Sequence, residues 1–79
     1  EVEHMLSTGR IDILCITPHY TYVIELKLSK NGGVAAAEKQ IKDNQYLEPF
    51  KADKNRKVIG LAIELEDLGK GLLEWKRVE

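Results

Sequence analysis

Seventy-nine residues make one small domain at most, and a chain of this length buries a smaller share of its surface than an average domain, so the core is expected to be thin. With 43% hydrophobic and 32% charged residues the chain reads as soluble and folded. No apolar run approaches the roughly 20 residues that span a bilayer, and no charged-then-apolar leader precedes a cleavage site. The net charge of −1 gives no overall basic field of the kind that announces a nucleic-acid binder. A single cysteine, Cys15, excludes an internal disulfide and cannot make a zinc site with the scattered His4 and His19, so a cytoplasmic, reducing compartment is expected.

In chain order, Val2 to Leu6 can form a short opening strand. Arg10 to Thr17 contains the β-rich run Ile-Asp-Ile-Leu-Cys-Ile and closes on Thr17-Pro18-His19-Tyr20, where proline suits the second position of a tight turn. Thr21 to Leu28 is a second such run, and the two predict an antiparallel hairpin in which Cys15 is a packing residue. Ser29-Lys30-Asn31-Gly32-Gly33 breaks the pattern. The following segment, Val34 to Leu47, is rich in helix formers and ends ahead of Pro49. Val58 to Leu65 has the composition of a strand, and Gly71 to Val78 alternates enough to be the last one, after a turn around Gly69. The order strand, strand, strand, helix, strand, strand predicts an α/β chain, a mixed sheet covered on one face by a single helix. Tyr46 is expected to pack, and Trp75 to be core or edge cover.

The informative feature is where the charges fall inside the hairpin. Side chains alternate faces along a strand, so Ile11, Ile13 and Cys15 are expected on one face and Asp12, Leu14 and Ile16 on the other. On the second strand Val23, Glu25 and Lys27 form one set. A turn centred on Pro18-His19 sets Asp12 opposite Glu25, with Cβ atoms about 4.5–5.5 Å apart, a destabilising placement for like charges unless a cation or a proton intervenes. Oxygen ligands of this kind suit Mg²⁺ or Mn²⁺, and Lys27 could orient a water or stabilise charge at phosphorus. The plainer alternative is that Asp12, Glu25 and Lys27 form the wet side of the sheet, with an ordinary Glu–Lys pair. Against it, Leu14, Ile16 and Val23 share that face, and charges embedded in a partly covered face are expensive. Basic residues gather at Lys39, Lys42, Lys51, Lys54, Arg56 and Lys57, either as a nucleic-acid footprint or as a solvated face.

Glu3, Gly9-Arg10-Ile11-Asp12, Val23-Ile24-Glu25-Leu26-Lys27, Gln40-Ile41 and Tyr46 together resemble the PD-(D/E)XK nuclease-like domain found at the C-terminal end of bacterial AAA-ATPase-like proteins. The resemblance spans nearly the whole chain and implies a restriction-endonuclease-like core with the site on the hairpin. It further implies Asp12 as the central metal ligand, Glu25 as the second carboxylate, and the backbone carbonyl of Leu26 as completing the metal shell. Glu3 would be an additional acidic ligand, Lys27 the signature lysine, and Gln40 a glutamine pointed into the site from the helix. Apart from the resemblance, Arg10 is expected either to contact phosphate or to pair with an acidic neighbour, and Lys39 and Lys42 are the basic-cluster residues expected at nucleic acid if that cluster is not a solvated face. The family's core opens with a helix ahead of the first strand, for which this chain has no room. The chain also starts at Glu1, so an upstream region, including an ATPase-like part, is expected, and the activity of the 79 residues alone is in question.

Three functions follow as expectations. The first is a Mg²⁺- or Mn²⁺-dependent phosphodiesterase acting on DNA, with RNA as the second choice. The second is a non-catalytic nucleic-acid-binding or regulatory module that keeps the nuclease fold. The third is a purely structural piece used for assembly. No membrane partner is expected, and self-association as a homodimer stays open.

Overall fold

The two β-rich runs around Pro18-His19 form the hairpin that their patterning predicts, as β2 (Arg10–Ile16) and β3 (Tyr20–Leu28). The structure, a computed structural model, describes the backbone of residues 2–6, 10–67 and 71–79 and the side chains of residues 11–67 and 71–79. Antiparallel register runs from Ile16 opposite Thr21 to Ile13 opposite Ile24. At the turn, Thr17 N–H donates to Tyr20 O at 2.8 Å, and Tyr20 N–H donates to Thr17 Oγ1 at 3.0 Å. The Thr17 carbonyl accepts instead from Arg56 Nε at 2.7 Å, which ties the turn to the chain segment entering the next strand.

β1 (Val2–Leu6) pairs antiparallel with β2, and β4 (Lys57–Leu65) pairs parallel with β3 over nine positions, from Tyr20 opposite Lys57 to Leu28 opposite Leu65. β5 (Leu72–Val78) pairs antiparallel with β4, so the five described strands lie in sequence order. Parallel neighbours need a crossover, and helix α1 (Gly33–Asp43) supplies it. No described helix is long and apolar enough to cross a membrane.

α1 starts where Gly32 (φ 106°) and Gly33 (φ 63°) bend the chain back over the sheet. A Cβ on Gly33 would collide with the Glu64 carboxylate, which accepts from Val34 N–H at 3.0 Å and from the Ser29 hydroxyl. The helix has no acidic residue in its own first turn, so this carboxylate from β4 supplies the missing cap. α1 ends at Asp43, four residues short of the expected Leu47. Gln45 takes φ 52°, Tyr46 N–H donates to Ile41 O, and Gln45 N–H donates to Lys42 O, which is the Schellman pattern. The reversal drives Tyr46 and Leu47 into the core instead of along a further helical turn.

One sheet face carries Leu14, Val23, Ala62 and Val78, closed by Ala37 and Ile41 of α1 together with Tyr46 and Leu47. The parallel register puts Thr21, Val23, Glu25 and Lys27 on this face beside Val58, Gly60, Ala62 and Glu64. The opposite face bears Ile13, Cys15, Tyr22, Ile24, Leu26, Ile59, Leu61 and Ile63, all half-buried, and no described helix covers it. Trp75 belongs to that outer side, on the edge strand β5, and is 61% exposed, so it is not the core residue that was one of the two expectations. Its register partner Ile63 fixes the side it takes, and such pairing is invisible in the local sequence.

Candidate functional site

The site begins with an irregularity in β2. Glu3 lies opposite Leu14 and Met5 opposite Ile11, so β2 advances three residues while β1 advances two. An extra residue of this kind is a β-bulge, which bends the strand and re-aims side chains. It also overturns the simple alternation expected for β2: Ile11 and Leu14, an odd and an even position, are both buried in the same core, at 5% and 1% exposure.

The bulge falls at Asp12 and Ile13, at the point where the regular β2–β3 pairing stops. Beyond it, the Asp12 carboxylate does what the strand no longer does, with Oδ2 accepting from Leu26 N–H at 2.9 Å. The aspartate is therefore held by a backbone donor from β3, and its carboxyl is brought to Glu25, the residue before that donor.

Glu25 lies under α1 at 2% exposure, and its Oε1 is buried without a hydrogen-bond partner. Burial pushes its pKa from 4.5 up to about 7, and the negative charge of Asp12 adds to the rise. Lys27, on the same face two residues along, pulls in the other direction but does not win. A glutamate in the interior with one oxygen unanswered is costly unless a proton or a cation completes it.

The other expected site residues are placed as follows. Gln40 donates from Nε2 to the Tyr46 hydroxyl at 3.2 Å, which also accepts from Asn44 Nδ2 at 3.2 Å; among the described residues its amide has no hydrogen bond to the carboxylates. Lys39 is ion-paired with Asp43, and Lys42 with Glu38 at 3.0 Å. The side chains of Glu3 and Arg10 lie outside the described residues. Tyr46 packs in the core as expected, and its hydroxyl also fixes the orientation of the Gln40 amide. One participant escaped the sequence reading: Glu64, which locks the start of the covering helix. The Gly32-Gly33 entry to a helix without its own acidic cap was the available signal for Glu64.

Among the described residues no group of three or more His, Cys, Asp or Glu side chains converges. The acidic set is the pair Asp12 and Glu25, few enough to suit a hard divalent cation that keeps several waters. The orphaned Glu25 oxygen and the like-charge pairing are what such a cation would relieve, so the residues fit one.

A mixed sheet with an acidic pair at the bulged end of a hairpin, under a single crossover helix, defines a small α/β protein of restriction-endonuclease-like architecture. The family model described as the PD-(D/E)XK nuclease superfamily matches residues 1–75, and the chain belongs to that superfamily. Its members generally use divalent metals. No curated protein and no solved structure matches the chain.

Proposed function

We propose that this chain forms the core of a metal-dependent phosphodiesterase that hydrolyses DNA, with RNA as the second choice. The observation that carries the reading is Glu25: a buried carboxylate beside a second carboxylate, with an oxygen no protein group answers. A wet-face Glu–Lys pair would be exposed and satisfied, and Glu25 is neither.

In this reading Asp12 and Glu25 hold Mg²⁺ or Mn²⁺, with the Leu26 carbonyl as the backbone ligand between them and Glu3 as a further acidic group. When bound, the cation supplies a Lewis acid that makes water nucleophilic at neutral pH and neutralises charge on the phosphodiester. Asp12 is positioned through Leu26 N–H, so the ligand geometry is inherited from the sheet. Lys27 forms no salt bridge among the described residues; its charge acts on Glu25 across the face, and its ammonium would also serve charge that develops at phosphorus. Gln40 is held back at Tyr46 and can turn toward the carboxylates only by giving up that bond.

The test is cleavage of supercoiled DNA, linear DNA and structured RNA with Mg²⁺ or Mn²⁺, comparing the wild type with Lys27→Ala. Loss of cleavage by about two orders of magnitude with metal affinity retained is expected, since Lys27 acts in the transition state more than in the ground state. Survival of all three substrates with the wild type would overturn the reading and leave a non-catalytic module.

A further inference from the structure

The surface charge divides unevenly. Lys39, Lys42, Lys51 and Lys76 are each ion-paired, to Asp43, to Glu38, to Glu48 and Glu79, and to Glu38 respectively. Lys54 and Lys57 are exposed and have no such carboxylate among the described residues. Together with His19, Tyr20, Asn55 and Arg56 they line an open groove of about 390 Å³ at the end of the sheet where β3 and β4 begin. The carboxylate of Asp53, the residue before Lys54, is already answered by Arg56 Nη1 at 2.8 Å and by Asn55 N–H at 2.9 Å.

The groove is also braced. Arg56 Nε donates to Thr17 O, and Lys57 N–H donates to His19 O at 2.9 Å, so the hairpin turn and the start of β4 form one surface. Tyr20 pairs with Lys57 in the parallel register, which sets both side chains on the outer face. The Tyr20 ring is 40% exposed and stacks on Tyr22 with centroids 5.8 Å apart and planes at 30°. Uncompensated ammonium groups beside a braced, exposed aromatic ring are the two components that hold unpaired nucleic-acid strands, the first for phosphates and the second for a base face.

We propose that this groove docks single-stranded nucleic acid, with backbone phosphates on Lys54 and Lys57 and a base stacked on Tyr20. A duplex hides its base faces within its own stack and cannot use the tyrosine. Tyr20 and Glu25 are five residues apart along β3, about 16 Å at 3.3 Å per residue, so the groove is separate from the carboxylate pair and holds a stretch of strand away from the bond that is cut. The choice of nucleic acid over another polyanion rests on the nuclease reading above.

The experiment measures fluorescence anisotropy of a labelled oligothymidylate with the 79-residue chain, in metal-free buffer where no cleavage occurs. Lys54→Glu/Lys57→Glu is expected to weaken binding at least roughly tenfold and to flatten the slope of log K against log salt by about 1.4, the share of two phosphates on a single strand. Tyr20→Ala is expected to weaken binding roughly 5- to 100-fold with the salt slope unchanged. Lys51→Glu, a change at an ion-paired lysine away from the groove, is expected to bind as the wild type does. Lys54→Ala/Lys57→Ala gives the same readout if the charge reversal disturbs folding, which far-ultraviolet circular dichroism checks. Undiminished binding by both double variants, an equal loss with Lys51→Glu, equal competition by duplex or by an acidic peptide, or no binding by the wild type would each overturn the proposal. Cleavage by the wild type alongside undiminished binding by the double variants would sink the groove alone. Binding lost in the double variants by a wild type that cuts nothing would sink the nuclease reading alone.

Discussion

A carboxyl group whose pKa is pushed up to about 7 keeps its proton in the folded chain long after the unfolded chain has released it near pH 4.5. In that window the native state binds more protons, so the stability of the metal-free protein falls as pH rises from 4.5 to 7, by about 3 kcal/mol in all, and the full penalty persists above 7. Urea unfolding at a series of pH values is expected to show this decline, and Glu25→Gln to remove most of it, so that the variant is about 1–3 kcal/mol more stable than wild type at pH 8. The same substitution should weaken metal binding, since the amide offers a neutral ligand. Metal affinity in the wild type is expected to climb with pH and level off above 7, with a proton released on binding below that point. Calorimetric titration in buffers of different ionisation enthalpy measures it. A group that is a liability in the empty protein and an asset in the loaded one is the residue-level mark of a site.

At the level of elements, the ends and irregularities separate what could be read from what could not. The hairpin about Pro18-His19, the crossover helix and the succession of elements along the chain were legible because turn chemistry and hydrophobic spacing are local. The helix stop was not, because the left-handed position falls on Gln45, where sequence patterns look for glycine or asparagine. Gln45→Gly is accordingly expected to stabilise the fold by about 1 kcal/mol, seen as a higher urea midpoint at unchanged slope. The bulge in β2 was equally hidden. An inserted residue has no compositional signature, and without it Ile11 is assigned to the wrong face; the regular register ends at Ile13 opposite Ile24, and Asp12 acts on Glu25 through its charge and not as a register partner. The Lys39 and Lys42 ion pairs and the exposure of Trp75 depend on partners that the local sequence does not specify.

For the molecule as a whole, a core with nine buried apolar side chains among the described residues, under one described α-helix, leaves little surplus stability for a carboxylate in its interior. Under the proposed function, ligand linkage would make the cation a structural participant. At a hundred times its dissociation constant, Mn²⁺ is expected to add about 2.7 kcal/mol, or roughly 10–20 °C in the thermal midpoint of a domain this size, and Asp12→Ala to abolish the shift. Circular dichroism melts with and without the metal measure it. Equal shifts in both proteins would place the cation elsewhere.

The bond from Leu26 N–H to Asp12 Oδ2 has a consequence for how such events can be watched. The last rung of the hairpin is a side chain, so the solvent exchange of one amide hydrogen depends on how that carboxylate is held. Any rearrangement of Asp12 alters the protection of Leu26 before a substrate is present. Isotope labelling of a single backbone position is then enough to follow the site.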